Sequence, residues 1–311
     1  LKDLAHELAR GLRDLVEPRL GSVAGRAHTR VGASGDVTFA IDEEAESYLE
    51  EWVRANAPSV AFYSEDRGLV VPAGGTPEWV LVVDPIDGTR PALAGFESAC
   101  TSVAVAPYRD GAPTMGDVVA GCVVEIKSGD FFLASRGEGL TSSREIAPSA
   151  NTDLSRMFWV MGFCRRPARP LVEVIGDLID VSSRGGGVFD LGSACFDMTR
   201  VLTGQLDAYV EPGPRLVEEV PGMRAEFERV GDGHINNNTP YDLAAAALCL
   251  VEGGVVVTDA AGRSLDPRPL LGSSPEYQMS VCAAGSAELH AKLVAEVERG
   301  VARLLGNVRA Q

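Results

Sequence analysis

An apolar run that stops at two carboxylates is the strongest constraint on this chain: Trp79-Val80-Leu81-Val82-Val83 leads straight into Asp84-Pro85-Ile86-Asp87-Gly88-Thr89. Val80 to Val83 are continuously apolar and mostly β-branched, the pattern of a strand covered on both faces. Pro85 and Gly88 are expected to force the chain out of the ladder. Asp84 and Asp87 then sit at the carboxyl end of a buried strand, where open α/β sheets place their ligands. Two hard oxygen ligands three residues apart suit Mg²⁺ better than a softer metal. The amides after Gly88 open a short helix with Pro91 near its first turn and are placed to receive a phosphate. An Asp after a strand is also a common turn or cap residue, so these two need support from elsewhere in the chain.

That support comes in a fixed order. Asp36-Val37-Thr38-Phe39-Ala40-Ile41-Asp42 and Tyr63-Ser64-Glu65-Asp66 precede the strand, and Tyr241-Asp242-Leu243-Ala244-Ala245 follows far downstream. The carboxylates they add make Glu65, Asp84, Asp87 and Asp242 the candidate metal ligands. With Asp84-Pro85-Ile86-Asp87-Gly88-Thr89, the set resembles the four ordered motifs of the inositol monophosphatase family. These are Mg²⁺-dependent, lithium-sensitive phosphatases that share a fold with fructose-1,6-bisphosphatase.

The resemblance implies an α/β (α+β) fold, the layered α/β/α/β/α sandwich of that superfamily. Residues 1–148 would form an N-terminal α+β half carrying most metal ligands, and residues 149–311 a C-terminal α/β half with substrate contacts and the last metal Asp. It assigns Glu65, Asp84, Asp87 and Asp242, with the Ile86 carbonyl, as ligands for two or three Mg²⁺ ions. Asp42, Thr89 and Glu65 form the implied catalytic set, in which Asp42 holds the Thr89 hydroxyl so that the pair orients the attacking water. Asp87, Gly88, Thr89, Ser193, Ala194 and Glu211 are the implied substrate contacts.

The implied reaction is hydrolysis of a small phosphate monoester, with inositol 1-phosphate or a related cyclitol or sugar phosphate as first candidate. Fructose 1,6-bisphosphate, 3′(2′),5′-bisphosphate nucleotides and histidinol phosphate are alternatives within the superfamily. A non-catalytic binding or regulatory homologue is the alternative from another class, but a pure binding module has no need of Asp42 and Thr89 together. The resemblance also implies a homodimer.

The chain departs from the family pattern in several places. The stretch from Pro212 to Tyr241 between Glu211 and Asp242 is much longer than usual, and reads either as a surface insertion or as a lid that sets specificity. Tyr241 stands where relatives have Trp, and Arg90-Pro91 where many have Thr-Asn. Ser193 reads equally as a helix N-cap. Arg26 and Arg30 lie where relatives often carry a Lys near the third metal, and read more simply as solvated loop residues.

A formal charge of −16 over 311 residues, with no Lys or Arg run, argues against a nucleic-acid partner. The longest apolar stretch, Leu243 to Val251, is too short to span a bilayer, and no basic-then-apolar leader opens the chain, so a cytoplasmic location is expected. Six widely spaced cysteines without a Cys-x-x-Cys pair suggest buried thiols rather than zinc or redox chemistry.

Periodicity predicts helices over residues 1–16, 41–53, 194–202, 243–251 and 287–305, and strands at 99–106, 118–126, 131–134, 158–161, 206–210, 255–258 and 281–284. Arg109-Asp110-Gly111 supplies turn chemistry, and residues 148–154 read as a connector.

Overall fold

The structure is a computed structural model and describes residues 1–22, 28–31, 37–73, 76–108 and 112–310. Asp36, Arg26 and the Arg109-Asp110-Gly111 turn lie outside the described residues, as does the side chain of Arg30. The chain runs α1 (Lys2–Val16), β1 (His28–Val31), β2 (Val37–Phe39), α2 (Ala40–Asn56), β3 (Ala61–Ser64), β4 (Gly68–Val70), β5 (Trp79–Asp87), α3 (Thr89–Ala94), β6 (Cys100–Pro107), β7 (Ala120–Glu125), β8 (Phe131–Ser135) and β9 (Gly139–Ser142). It continues with β10 (Phe158–Val160), α4 (Ala168–Ser182), β11 (Gly187–Phe189), α5 (Ala194–Leu202), β12 (Ala208–Glu211), α6 (Gly213–Glu219), α7 (Met223–Val230), α8 (Pro240–Glu252), β13 (Val256–Thr258), β14 (Val281–Ala284) and α9 (Ala287–Ala310).

Two sheets organise these elements. One has seven strands in the order β4-β3-β5-β6-β7-β8-β9, and the other five in the order β11-β10-β12-β14-β13. Side chains alternate across each sheet, so every sheet has two apolar faces to cover. Leu81, Val83, Val103, Val105, Cys122 and Val124 point to one side of the larger sheet and pack on Leu8, Leu12, Ile41 and Leu49 of α1 and α2. Val80, Val82, Ala104, Val123 and Phe132 point to the other side, where α5 and α8 lie. Tyr209, Val281 and Ala283 of the smaller sheet complete that same core from beyond the helices. Trp159, Met161, Val210 and Cys282 then pack outward on α4 and α9. Three cores separate five layers, the α/β/α/β/α sandwich expected from the sequence.

The middle layer explains α8. A helix between two sheets must be apolar nearly all round, and residues 243 to 250 are all buried. Its alanines bring it close to the sheet: a Cβ added at Gly121 of β7 would lie 2.9 Å from the backbone of Ala245. This packing fixes the position of Asp242 at the start of the helix.

Two expectations need correction. The chain does not leave the ladder at Pro85. Strand β5 runs on to Asp87, and an irregularity between Asp84 and Asp87 absorbs an extra residue, because Asp84 pairs with Ser102 but Asp87 with Cys100. Pro85 lacks a donor but its carbonyl accepts from the Thr101 hydroxyl at 3.0 Å. The stretch after Glu211 is not a surface insertion. It folds as α6 and α7, and Leu216, Val220, Met223, Phe227 and Ile235 are buried in the outer core.

Candidate active site

Every residue expected in the site lines one cavity except Glu211. Glu211 itself is fully buried directly behind that wall, at the end of β12. The β5 irregularity turns Asp84 and Asp87 to the cavity while both stay buried. Asp84 accepts from its own Ile86 amide at 3.0 Å, which holds the turn closed. Gly88 follows at φ 91°, a left-handed conformation that favours glycine. It also has no room for a side chain: an added Cβ would sit 2.8 Å from the Ser193 Cβ and 2.8 Å from the Ser98 carbonyl.

Asp242 arrives from the middle layer as the third residue of α8, where it accepts from the Thr239 amide at 2.6 Å and the Thr239 hydroxyl at 2.9 Å. The cap reading of this residue therefore holds, and the same carboxylate lines the cavity. One carboxylate oxygen each from Asp84, Asp87 and Asp242 lies within 4.8 Å of the others. Glu65, just after β3, lines the same cavity outside this tight group.

Burial, and then repulsion from Asp87, Glu65 and Asp242, holds the Asp84 carboxyl well above the ordinary carboxylate range. Burial and the charge of Asp87 push Asp242 up to about 7. Asp87 is also raised by burial, against donors that favour its charged form. Three crowded carboxylates, all with hard oxygen donors, fit a divalent ion such as Mg²⁺.

Asp42, the third residue of α2, accepts from the Phe39 amide at 2.8 Å. Its other oxygen accepts from the Thr89 hydroxyl at 3.1 Å, with the Ile86 carbonyl 3.2 Å from the same hydroxyl. Thr89 opens α3, so this contact joins two rigid helices across the cavity.

Asp87 also ties the larger sheet to the middle helix layer. Its carboxylate accepts from the Ser193 hydroxyl at 2.8 Å, the Cys195 amide at 2.5 Å and the Ala194 amide at 3.3 Å, at the N-terminus of α5. Ser193 caps that helix as well, accepting from the Phe196 amide at 3.1 Å. The donors of Ser193 and Ala194 are thus turned onto Asp87. Behind them, Glu211 accepts from the Gly213 amide at 2.9 Å and pairs with Arg166 at 2.7 Å.

Sequence reasoning missed Glu46, Asp197 and Arg166 here. Glu46 lies one helical turn after Asp42 on α2, accepts from the Ser64 hydroxyl at 2.7 Å and the Asp66 amide at 3.0 Å, and is pushed by burial to about 7. Asp197, one turn after Ser193, lines the cavity, as do Arg166 and Asn237. Spacing of four from a recognised residue was an available signal for Glu46 and Asp197. Cys164 also lines the cavity and is exposed, unlike the other five cysteines, which are buried as expected.

The raised carboxylates predict how stability depends on pH. Asp242 and Glu46 hold protons to about 7 when folded, whereas an unfolded chain releases them near the ordinary value of about 4. Over that interval the folded state binds more protons, so the metal-free protein loses stability as pH rises from about 4 to 7. With EDTA present, Tm is expected to fall by several degrees between pH 5 and pH 8, and Mg²⁺ to restore more of it at pH 8. A Mg²⁺ increment in Tm that is equal at both values would contradict this electrostatic account.

The sequence profile of the Inositol monophosphatase family matches residues 1–302, and the chain belongs to that family. It is therefore a phosphoric monoester hydrolase of the inositol monophosphatase type. A fructose-1,6-bisphosphatase/inositol-1-monophosphatase of Methanothermobacter thermautotrophicus is 28% identical over 305 residues, covering 96% of each chain. An inositol-1-monophosphatase of Caulobacter vibrioides is 26% identical, covering 82% of this chain and 86% of its own. A relative in Xylella fastidiosa, 26% identical over 75% of this chain and 86% of its own, is named Nus factor SuhB. Among solved structures, the IMPase of Thermotoga maritima superposes with a TM-score of 0.68 at 20% identity, over 97% of this chain and 98% of that one. Among the described residues no helix is long and apolar enough to cross a membrane.

Proposed function

We propose that this protein hydrolyses a small phosphorylated polyol in a Mg²⁺-dependent reaction, with inositol 1-phosphate the first substrate to test. The observation that carries the reading is the convergence of Asp84, Asp87 and Asp242 with the Thr89–Asp42 hydrogen bond in one cavity. Asp84, Asp87 and Asp242, with Glu65 and the Ile86 carbonyl, would hold the ions. Bound Mg²⁺ would supply positive charge to the phosphoryl oxygens and the leaving alkoxide.

The remaining work belongs to side chains. Asp42 takes the Thr89 proton in a hydrogen bond, which leaves the hydroxyl's lone pairs to accept from a water and orient it. The N-terminus of α5 fixes Asp87 through three donors, which favour its charged form. Its dipole adds positive potential at the same wall of the cavity. A homodimer, as the family resemblance implies, belongs to the same proposal.

The SuhB-named relatives support a second reading, a regulatory protein that does not turn over. One experiment separates the two: phosphate release from inositol 1-phosphate, fructose 1,6-bisphosphate, a 3′,5′-bisphosphate nucleotide and histidinol phosphate, with and without Mg²⁺. Mg²⁺-dependent release, inhibition by millimolar lithium, and a fall in kcat rather than a rise in KM for Thr89→Ala are expected. No release from any ester would favour the regulatory reading, and unchanged kinetics in Thr89→Ala would remove that residue from the mechanism.

A further inference from the structure

Beyond the carboxylate cluster, the cavity wall holds polar groups that the protein leaves without partners. Asp197 is only 2% exposed, yet its Oδ1 finds no hydrogen bond among the described residues. The Oδ1 of Asn236 and the Nδ2 of Asn237 are in the same condition. All three residues line the cavity. The amide orientation of Asn237 is set by Arg166, whose Nε donates to its Oδ1 at 3.2 Å, so the open group is a donor. Buried polar atoms without partners are costly, and three of them on residues that line one cavity point to a ligand that completes them.

Asp197 is four residues after Ser193 on α5, so it lies one turn, about 5.4 Å, further along the helix from the end that grips Asp87. That displacement is the width of a small ring. Two open acceptors and one donor match hydroxyl groups, each of which can donate and accept. A second phosphate offers only acceptors and would meet the acidic side chains of Asp190 and Asp197 on the cavity wall. Arg166 does not counter them, because its guanidinium is engaged by Glu211 at 2.7 Å, the Gly162 carbonyl at 2.9 Å and Asn238 at 3.0 Å. The same ion pair occupies Glu211, the residue for which the family resemblance implies contact with substrate hydroxyls.

We infer that Asp197 and Asn237 read hydroxyl groups on the leaving alcohol and select a polyol monophosphate over a bisphosphate or an unsubstituted ester. The inference rests on the phosphatase reading and adds to it the group that sets substrate choice. The test compares kcat/KM for inositol 1-phosphate with that for 4-nitrophenyl phosphate, which has the ester but no hydroxyls. In Asp197→Ala the ratio of the two is expected to fall about tenfold, the loss of one buried hydrogen bond. Asp197→Asn, which keeps an acceptor oxygen, is expected to recover part of it.

A fall under threefold, or an equal fall for both esters, overturns the inference, and so does a wild-type preference for fructose 1,6-bisphosphate over inositol 1-phosphate. If the wild type hydrolyses neither ester, the phosphatase reading fails by itself. Calorimetric binding of inositol 1-phosphate then decides the inference: weaker binding by Asp197→Ala supports it, and equal binding overturns it.

Discussion

Replacing Asp87 by Asn is expected to lower kcat/KM for phosphate release by about a thousandfold and to lower Tm by several degrees. The activity loss follows from removing one of three carboxylates that converge within 4.8 Å. The stability loss has a separate cause. Asp87 accepts from Ser193, Ala194 and Cys195 at the head of α5, and an Asn amide would turn two hydrogens toward some of these donors. Both effects should appear together in steady-state kinetics and a thermal melt. Near-wild-type turnover in Asp87→Asn would remove this cluster from the reaction.

Replacing residues 212–239 by a short Gly-Ser linker is expected to prevent folding rather than to change substrate ranking. Five apolar side chains of this stretch, Leu216, Val220, Met223, Phe227 and Ile235, are buried against α4, α9 and the smaller sheet. At roughly 1.5–3 kcal/mol each, their removal takes away on the order of 10 kcal/mol, comparable with the whole stability of a domain. Circular dichroism of the linker variant should show no cooperative melt. A folded variant with a sharp transition would mean that α6 and α7 are dispensable. Specificity in this stretch is better tested at Asn237, which reaches the cavity from its last turn.

The candidate site was legible in the sequence because its key groups are local. Asp84, Asp87, Gly88 and Thr89 fall in one short segment at the end of β5 and the start of α3, and a continuous apolar strand announces where that segment must lie. Asp242 was legible through its helix start, although its distance from Asp84 depends on α8 packing between the sheets. Residues that act through distant partners were not legible. Arg166 has no local pattern that ties it to Glu211, Asn237 and Asn238, because three separate loops bring the four together.

The β5 path was misread for a physical reason. Pro85 is a poor ladder residue, but the missing donor falls at an irregularity where the partner strand skips a residue. Helix α4 was overlooked despite Leu171, Val174, Ile175 and Leu178 at helical spacing. The short strands β3 and β4 offered too few residues for alternation to register.

The two turns that meet at the cavity floor constrain how a lineage carrying this chain can drift. Gly88 sits at φ 91° with its absent side chain directed at Ser193 and the Gly192 carbonyl, and Gly192 sits at φ 82° with its own directed at Pro91. Each turn occupies the volume that a substitution in the other would need, and neither glycine can accept a Cβ without leaving the left-handed region. A change at one turn is therefore tolerated only with a backbone change at the other, some hundred positions away in the chain. Among descendants, these two segments are expected to be inherited as a unit even where the sheets around them diverge.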